Sequence, residues 1–224
     1  PDRDVFSMRE MVGAFDISDV NPNPARFDHK KAVAINAEQI RLLDGADFRD
    51  RLVPYLADVY PAPTGQVPQA PLVSGTTFDE LTAREQEILD AAAPLIQTRI
   101  QMLRECRDML GFLFVSDSEL VVDDRARGRL KDSAADVLDA GIRALEGLTE
   151  EQWTAAGLEE VLRAAIVEGR GMPGGEGIKP RLAFGPLRVA VTGRQVSPPL
   201  FESMEILGSG SSLARLRELR SRLG

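Results

Sequence analysis

The sequence predicts an all-α fold, and three features lead there. Apolar residues recur at spacings of three and four along most of the chain. Helix-start residues stand ahead of those periodic runs, and a single short segment has strand-like composition. In chain order, Phe6–Phe15 sets Met8, Met11, Val12 and Phe15 on one face of a short amphipathic helix. "NPNPARFD" (21–28) is a turn-rich connector whose Asp28 caps a helix through Leu43. From Asp47 to about Val59, the residues Phe48, Leu52, Tyr55, Leu56 and Val59 share a face. "YPAPTGQVPQAPLVSG" (60–75) is proline-rich and reads as an extended loop, a local excursion rather than a domain linker. Thr82 and Glu85 form a capping box before a long helical region reaching Leu110, which Pro94 should kink or split. "FLFVSDSELVV" (112–122) admits a hairpin by composition, but its runs are short and helices flank it, so a connector is preferred. Helices come next at Asp124–Leu145, Thr149–Val167, Ile178–Val191, Pro198–Leu207 and Ser211–Leu223. In the fourth of these Ser197 is the expected N-cap and Pro198 opens the first turn. "GRGMPGGEG" (169–177) has the glycines of a phosphate loop, but no Lys-Ser/Thr comes after it and no strand precedes it, so it reads as a flexible connector.

Composition narrows the functions open to the chain. Its 224 residues, 43% hydrophobic and 28% charged, are enough for one large or two modest domains. The net charge of −8 argues against a general polyanion binder, so any nucleic-acid contact must be local. One cysteine, Cys106, excludes an internal disulfide and a thiolate metal cage. Cys106 lies among apolar helix residues and reads as a small buried group. The one histidine, His29, sits beside Lys30 and Lys31, reads as a surface residue, and has no activated nucleophile near it in sequence. No apolar run approaches the ~20 residues of a membrane span. The expected setting is cytoplasmic, with no membrane partner and no metal. The chain starts at Pro1, which reads as a piece cut from something longer.

The last helix, "SSLARLRELRSRL", puts Leu213, Leu216, Leu219 and Leu223 on one face and Arg215, Arg217, Arg220 and Arg222 on the others. The simple reading is a terminal helix docked by leucines under solvated arginines. The alternative is a basic cap beside a polyanion.

Several blocks go beyond these generic patterns. "MREMVGAFD…ARFDHKKAVAINAEQIRLL" resembles the segment after the catalytic core in bacterial glutamyl-tRNA synthetases. "IQTRIQMLRE" is similar to the central helix of that family's anticodon-binding region. "GPLRVAVTGRQVSPPLFESMEILG" resembles its C-terminal signature of Pro-Leu-Arg, Thr-Gly, Pro-x-Leu-Phe and Leu-Gly, and "SLARLRELRSRL" its closing helix. The blocks keep their order from residue 6 to the end. The family's His-Ile-Gly-His-like and Lys-Met-Ser-Lys-Arg-like ATP signatures are absent. Ala32, Ala34 and Gln39 stand where the family usually has Leu, Trp and Tyr.

The resemblance implies an all-α C-terminal portion of a class I synthetase: a stem-contacting subdomain (1–45), then two helical anticodon-binding subdomains (46–122 and 123–224). The full-length enzyme would join glutamate to tRNA-Glu, or also tRNA-Gln, using ATP and Mg2+. This portion would be a monomer that selects tRNA, holds no cofactor, contacts no DNA and forms no glutamyl-adenylate. By the same resemblance Arg188 meets the first anticodon base and the turn of Ser197, Pro198, Leu200 and Phe201 packs around the middle one. Arg99 meets the third base and Lys31 the tRNA backbone. From spacing alone, Leu200 and Phe201 read as core and Arg188 and Arg99 as solvated arginines; the resemblance turns Arg188 toward a base contact and makes the two readings of Leu200 and Phe201 even. The chemistry suits either base or backbone contacts, since unstacked bases are held by apolar platforms and edge hydrogen bonds and arginine forks bond base edges. A rival from another class is a helical protein-interaction domain, which the acidic charge favours.

Overall fold

The computed structural model describes residues 5–19, 27–60 and 70–223, and its regular elements among those residues are helices, with no strand. The connectors at 21–26 and 61–69 lie outside the described residues. Helix α1 (Met8–Ala14) forms under a capping box in which Glu10 reaches back to the Ser7 N–H. Its predicted apolar face exists but has no core beneath it: Met8, Met11, Val12 and Phe15 are all exposed. Helix α2 (His29–Leu42) starts as expected, the Asp28 carboxylate accepting from the Lys30 and Lys31 N–H groups. Its C-terminal end is tied down by Gln97, whose amide donates to the Ile40 and Leu43 carbonyls.

Helix α3 (Gly45–Leu56) begins two residues before the predicted start because Asp44 caps it, and Phe48, Leu52 and Leu56 are buried. Arg107 donates to the Tyr55 and Leu56 carbonyls at the end of α3, which also accept the Asp58 and Leu72 N–H groups. Helix α4 (Ala83–Ile96) has the predicted Thr82–Glu85 box. It stops two residues after Pro94, so the expected run to Leu110 divides into α4, a turn through 97–99, a 3-10 turn at Leu103–Glu105 and α5 (Cys106–Leu110). Proline withholds an N–H and crowds the preceding turn, and the helix ends within a turn of it. The segment 112–122 forms a 3-10 turn (Gly111–Leu113) and irregular chain, not a hairpin; Phe112 and Leu113 are buried in it.

The predicted helix 124–145 is likewise two: α6 (Asp124–Arg127) and α7 (Ala134–Glu146), parted by a turn that starts at Gly128. Glycine is a poor helix residue and a ready stop. Thr149 heads only a 3-10 turn, and α8 (Ala155–Leu162) starts later, from a Thr154 cap, continuing as a π turn over Arg163–Val167. The glycine-rich connector is not slack. Its backbone donates from Arg170, Gly171 and Ile178 to the carbonyls of Ala164, Ala165 and Ile166, and Arg143 holds the Gly171 carbonyl. Helices α9 (Pro180–Thr192), α10 (Leu200–Leu207) and α11 (Ser209–Ser221) complete the chain.

Helices α3, α4 and α5 pack together, and α7 to α11 pack as a second group, with α10 touching α4. One cluster of buried apolar side chains runs through both groups, from Ile40 to Leu219. Arg215 departs from the expected solvated arginine face of α11. It is 3% exposed, and its guanidinium donates to Asp117 (2.6 Å) and to the carbonyls of Phe112, Val115 and Val191. A buried charge is tolerable only when paired and hydrogen-bonded, and here its partners come from both helix groups. The other three arginines are paired with Glu146, Asp139 and Glu218, so α11 does not present a bare basic cap.

Candidate nucleic-acid interface

The turn between α9 and α10 is built from the inside out. Pro180 occupies the first turn of α9, where its missing N–H costs nothing. Helix α9 ends at Gly193 with φ 72°, and a Cβ there would stand 2.4 Å from the Val121 carbonyl oxygen. Only glycine combines that left-handed backbone with so close an approach. The Asp123 N–H bonds the Gly193 carbonyl at 2.9 Å, holding the 121–123 segment against the turn. Thr192 locks the same corner, its hydroxyl donating to the Arg188 carbonyl and accepting from the Arg194 N–H.

Arg188 is half-buried on α9, and its Nη1 donates to Ser197 Oγ (2.6 Å) and to the Pro198 carbonyl (2.8 Å). Ser197 is therefore not an N-cap. It is buried as the seat of Arg188, while α10 starts at Leu200 with Pro199 in the cap position and no side-chain cap bond. Proline fixes the backbone for that start without a capping hydroxyl. Burial lowers the pKa of the Arg188 guanidinium from its usual value, the positive Arg99 lowers it further, and Glu202 opposes them. Arginine still stays protonated, so two like charges are held near each other across the meeting of the helix groups.

Arg99 is exposed in the turn that ends α4, not within a helix as the sequence pattern implied. Its side chain has no hydrogen-bond or ion-pair partner among the described residues. Phe201, half-buried on the first turn of α10, meets Phe184 edge to face at 5.2 Å. Leu200 is core, 3% exposed, and Pro198 is buried with it. Lys31 is exposed on the first turn of α2, on a different element from the Arg188 group. The fold thus brings together Arg99, Arg188, Ser197, Pro198, Leu200 and Phe201, but not Lys31.

Sequence reasoning missed a cavity of about 890 Å3 that Arg188 also lines, between the 128–133 turn and α9. Its basic side chains are Arg129, Lys131, Arg181 and Arg188, and no carboxylate among the described residues lines it. The signal was present in "RARGRLK" (125–131) and "KPR" (179–181), two basic runs in an acidic chain. Among the described residues no group of three or more His, Cys, Asp or Glu side chains is placed to hold a metal ion. No helix there is long and apolar enough to cross a membrane.

An all-helical body that turns neighbouring arginines, an aromatic pair and a cation-lined hollow toward solvent is of the class of helical RNA-reading modules. The chain belongs to the anticodon binding domain family, whose model matches residues 47–220. A glutamate–tRNA ligase of Kineococcus radiotolerans is 55% identical over 99% of the chain, and one of Kocuria rhizophila is 52% identical. The chain spans about two fifths of those relatives' lengths, 40% and 39%. Among solved structures, a glutamate tRNA ligase from Elizabethkingia meningosepticum covers 98% of the chain at TM-score 0.67 and 19% identity, and the match takes in 37% of that chain. That likeness establishes the shared fold.

Proposed function

We propose that this chain selects tRNA for a glutamate–tRNA ligase by reading the anticodon, and that it is the C-terminal portion of that enzyme. The observation that carries this is the convergence of Arg188, seated on Ser197 and the Pro198 carbonyl, with Arg99 from the other helix group, whose side chain has no hydrogen-bond or ion-pair partner among the described residues. Arg188 reads the first anticodon base. The ring of Phe201, backed by Phe184, and the backbone of the 197–201 turn receive the middle base. Leu200 supports that turn from the core. Arg99 reads the third base, favouring the C of tRNA-Glu over the G of tRNA-Gln, and Lys31 on its separate helix meets the tRNA backbone. In this reading 1–45 is a stem-contacting unit, and 46–122 and 123–224 are the two units that hold the anticodon. The partner is tRNA, not DNA or a membrane, and the protein works as a cytoplasmic monomer. The ATP and Mg2+ of the full-length reaction have no signature motif among these 224 residues.

A gel-shift titration with tRNA-Glu tests this. Salt-sensitive binding that a free anticodon stem-loop competes away is the expected outcome. Binding that the stem-loop leaves untouched, or none, would favour the helical protein-interaction domain instead.

A further inference from the structure

We infer that the cavity between the 128–133 turn and α9 is a phosphodiester seat, in which Lys131 and Arg181 grip the RNA backbone next to the base met by Arg188. The inference rests on the anticodon-reading proposal and goes beyond it by assigning a backbone site. Among the described residues, four cations and no carboxylate line the hollow, in a chain whose net charge is −8. A concave wall of one sign concentrates its field on an anion. Lys131 and Arg181 are exposed and have no hydrogen-bond or ion-pair partner among the described residues. Most other arginines of the second helix group are paired with carboxylates or carbonyls. Arg129 is held by Gln195 at 2.7 Å, which fixes its direction without neutralising it.

The volume, about 890 Å3, leaves room for a stretch of sugar–phosphate backbone. Leu182, 42% exposed, and Phe184 supply apolar wall beside the cations, against which a backbone ribose can lie. Arg188 ties the two sites together, since it lines this cavity and is within reach of the positive charge of Arg99. A strand whose bases lie at Arg188 and Arg99 therefore has its backbone led into the hollow. That continuity favours RNA over an acidic peptide.

The test uses the 224-residue chain and a fluorescent tRNA-Glu anticodon stem-loop, titrated from low to moderate salt. Lys131→Ala with Arg181→Ala should weaken binding about tenfold at low salt and reduce the slope of log affinity against log salt by about 1–2. The loss should be equal for stem-loops with C or G at the third anticodon base. Both side chains are exposed, so the melting temperature should hold and confirm that the variant folds. Excess AMP or poly-glutamate should not displace the stem-loop. If wild type binds and Arg188→Ala weakens it while the double variant keeps both affinity and slope, the phosphodiester seat is wrong and the anticodon reading stands. If wild type does not bind the stem-loop, both fall. Displacement by AMP would make the cavity a mononucleotide site, and displacement by poly-glutamate a site for acidic peptide; either overturns the inference.

Discussion

Arg188 and Arg215 show how differently one residue type is used within a single group of packed helices. Arg188 commits only Nη1 to the protein, on Ser197 and the Pro198 carbonyl, and keeps donors available at a solvent-facing turn. Arg215 is enclosed by Asp117 and carbonyls. Arg188→Ala should weaken binding to a cognate stem-loop by about 1–3 kcal/mol, concentrated on one base. Loss spread evenly over sequences would mark Arg188 as a backbone contact. Arg215→Ala should instead lower stability by about 3 kcal/mol, because it strands buried carbonyls and a carboxylate; a urea titration showing under about 1 kcal/mol would contradict that. Arg188 was visible in the sequence only through its Pro-Leu-Arg setting. Arg215 was not, since a helical wheel assigns it to the polar side of the leucines. Its burial depends on carbonyls about a hundred positions earlier in the chain. Cys106 was legible as a buried thiol from its apolar neighbours, and burial pushes its pKa up to about 12. It should resist iodoacetamide at pH 8 in the native state and react on unfolding; native labelling would mean that the α3–α5 packing opens readily.

At the level of elements, the starts of helices were more legible than their ends. A cap is a local bond between residues two or three apart, and Asp28, Thr82 and Glu85 act as the sequence says they should. The break after Pro94 was legible as a kink or split, and the stop at Gly128 was missed although glycine is a poor helix residue; what the chain does beyond each break depends on what it packs against. The α10 start failed for a related reason: Ser197 has the chemistry of a cap, but Arg188 takes its hydroxyl. Glu85 offers a pH test of the cap at α4. Partial burial would raise its pKa, but hydrogen bonds from Ser74 and Thr82 outweigh it, and the net shift is downward from 4.5. A lowered folded pKa stabilises above the unfolded value, and the benefit disappears as pH falls through the folded one. Glu85→Gln should therefore lower the melting temperature at pH 7, and the gap from wild type should close as pH falls below 4.5. A gap constant with pH would show that the carboxylate's charge is not what holds the cap.

For the molecule as a whole, the all-α class was readable from periodicity and caps. The meeting of the two helix groups was not, because it is made by single long-range contacts such as Arg215 to Val115 and Arg84 to the Ile206 carbonyl. Those contacts and the shared core hold Arg99 on one group near Arg188 on the other, so base reading would be a property of their junction. The 224 residues contain neither ATP signature, and the purified chain should show no glutamate-dependent ATP–pyrophosphate exchange. Whether the junction reads an anticodon is decided most sharply at Arg99. Arginine has donors only, so it can bond the acceptor edge of an unpaired C, whereas G turns its own N–H groups to the same guanidinium. Facing donors buried without partners cost about 1–3 kcal/mol. The quantity to measure is the affinity ratio for two stem-loops differing only in C or G at the third anticodon base, with wild type and Arg99→Gln. Wild type should prefer C, and the preference should shrink in the variant as C weakens and G improves. A ratio that does not change would contradict base reading by Arg99.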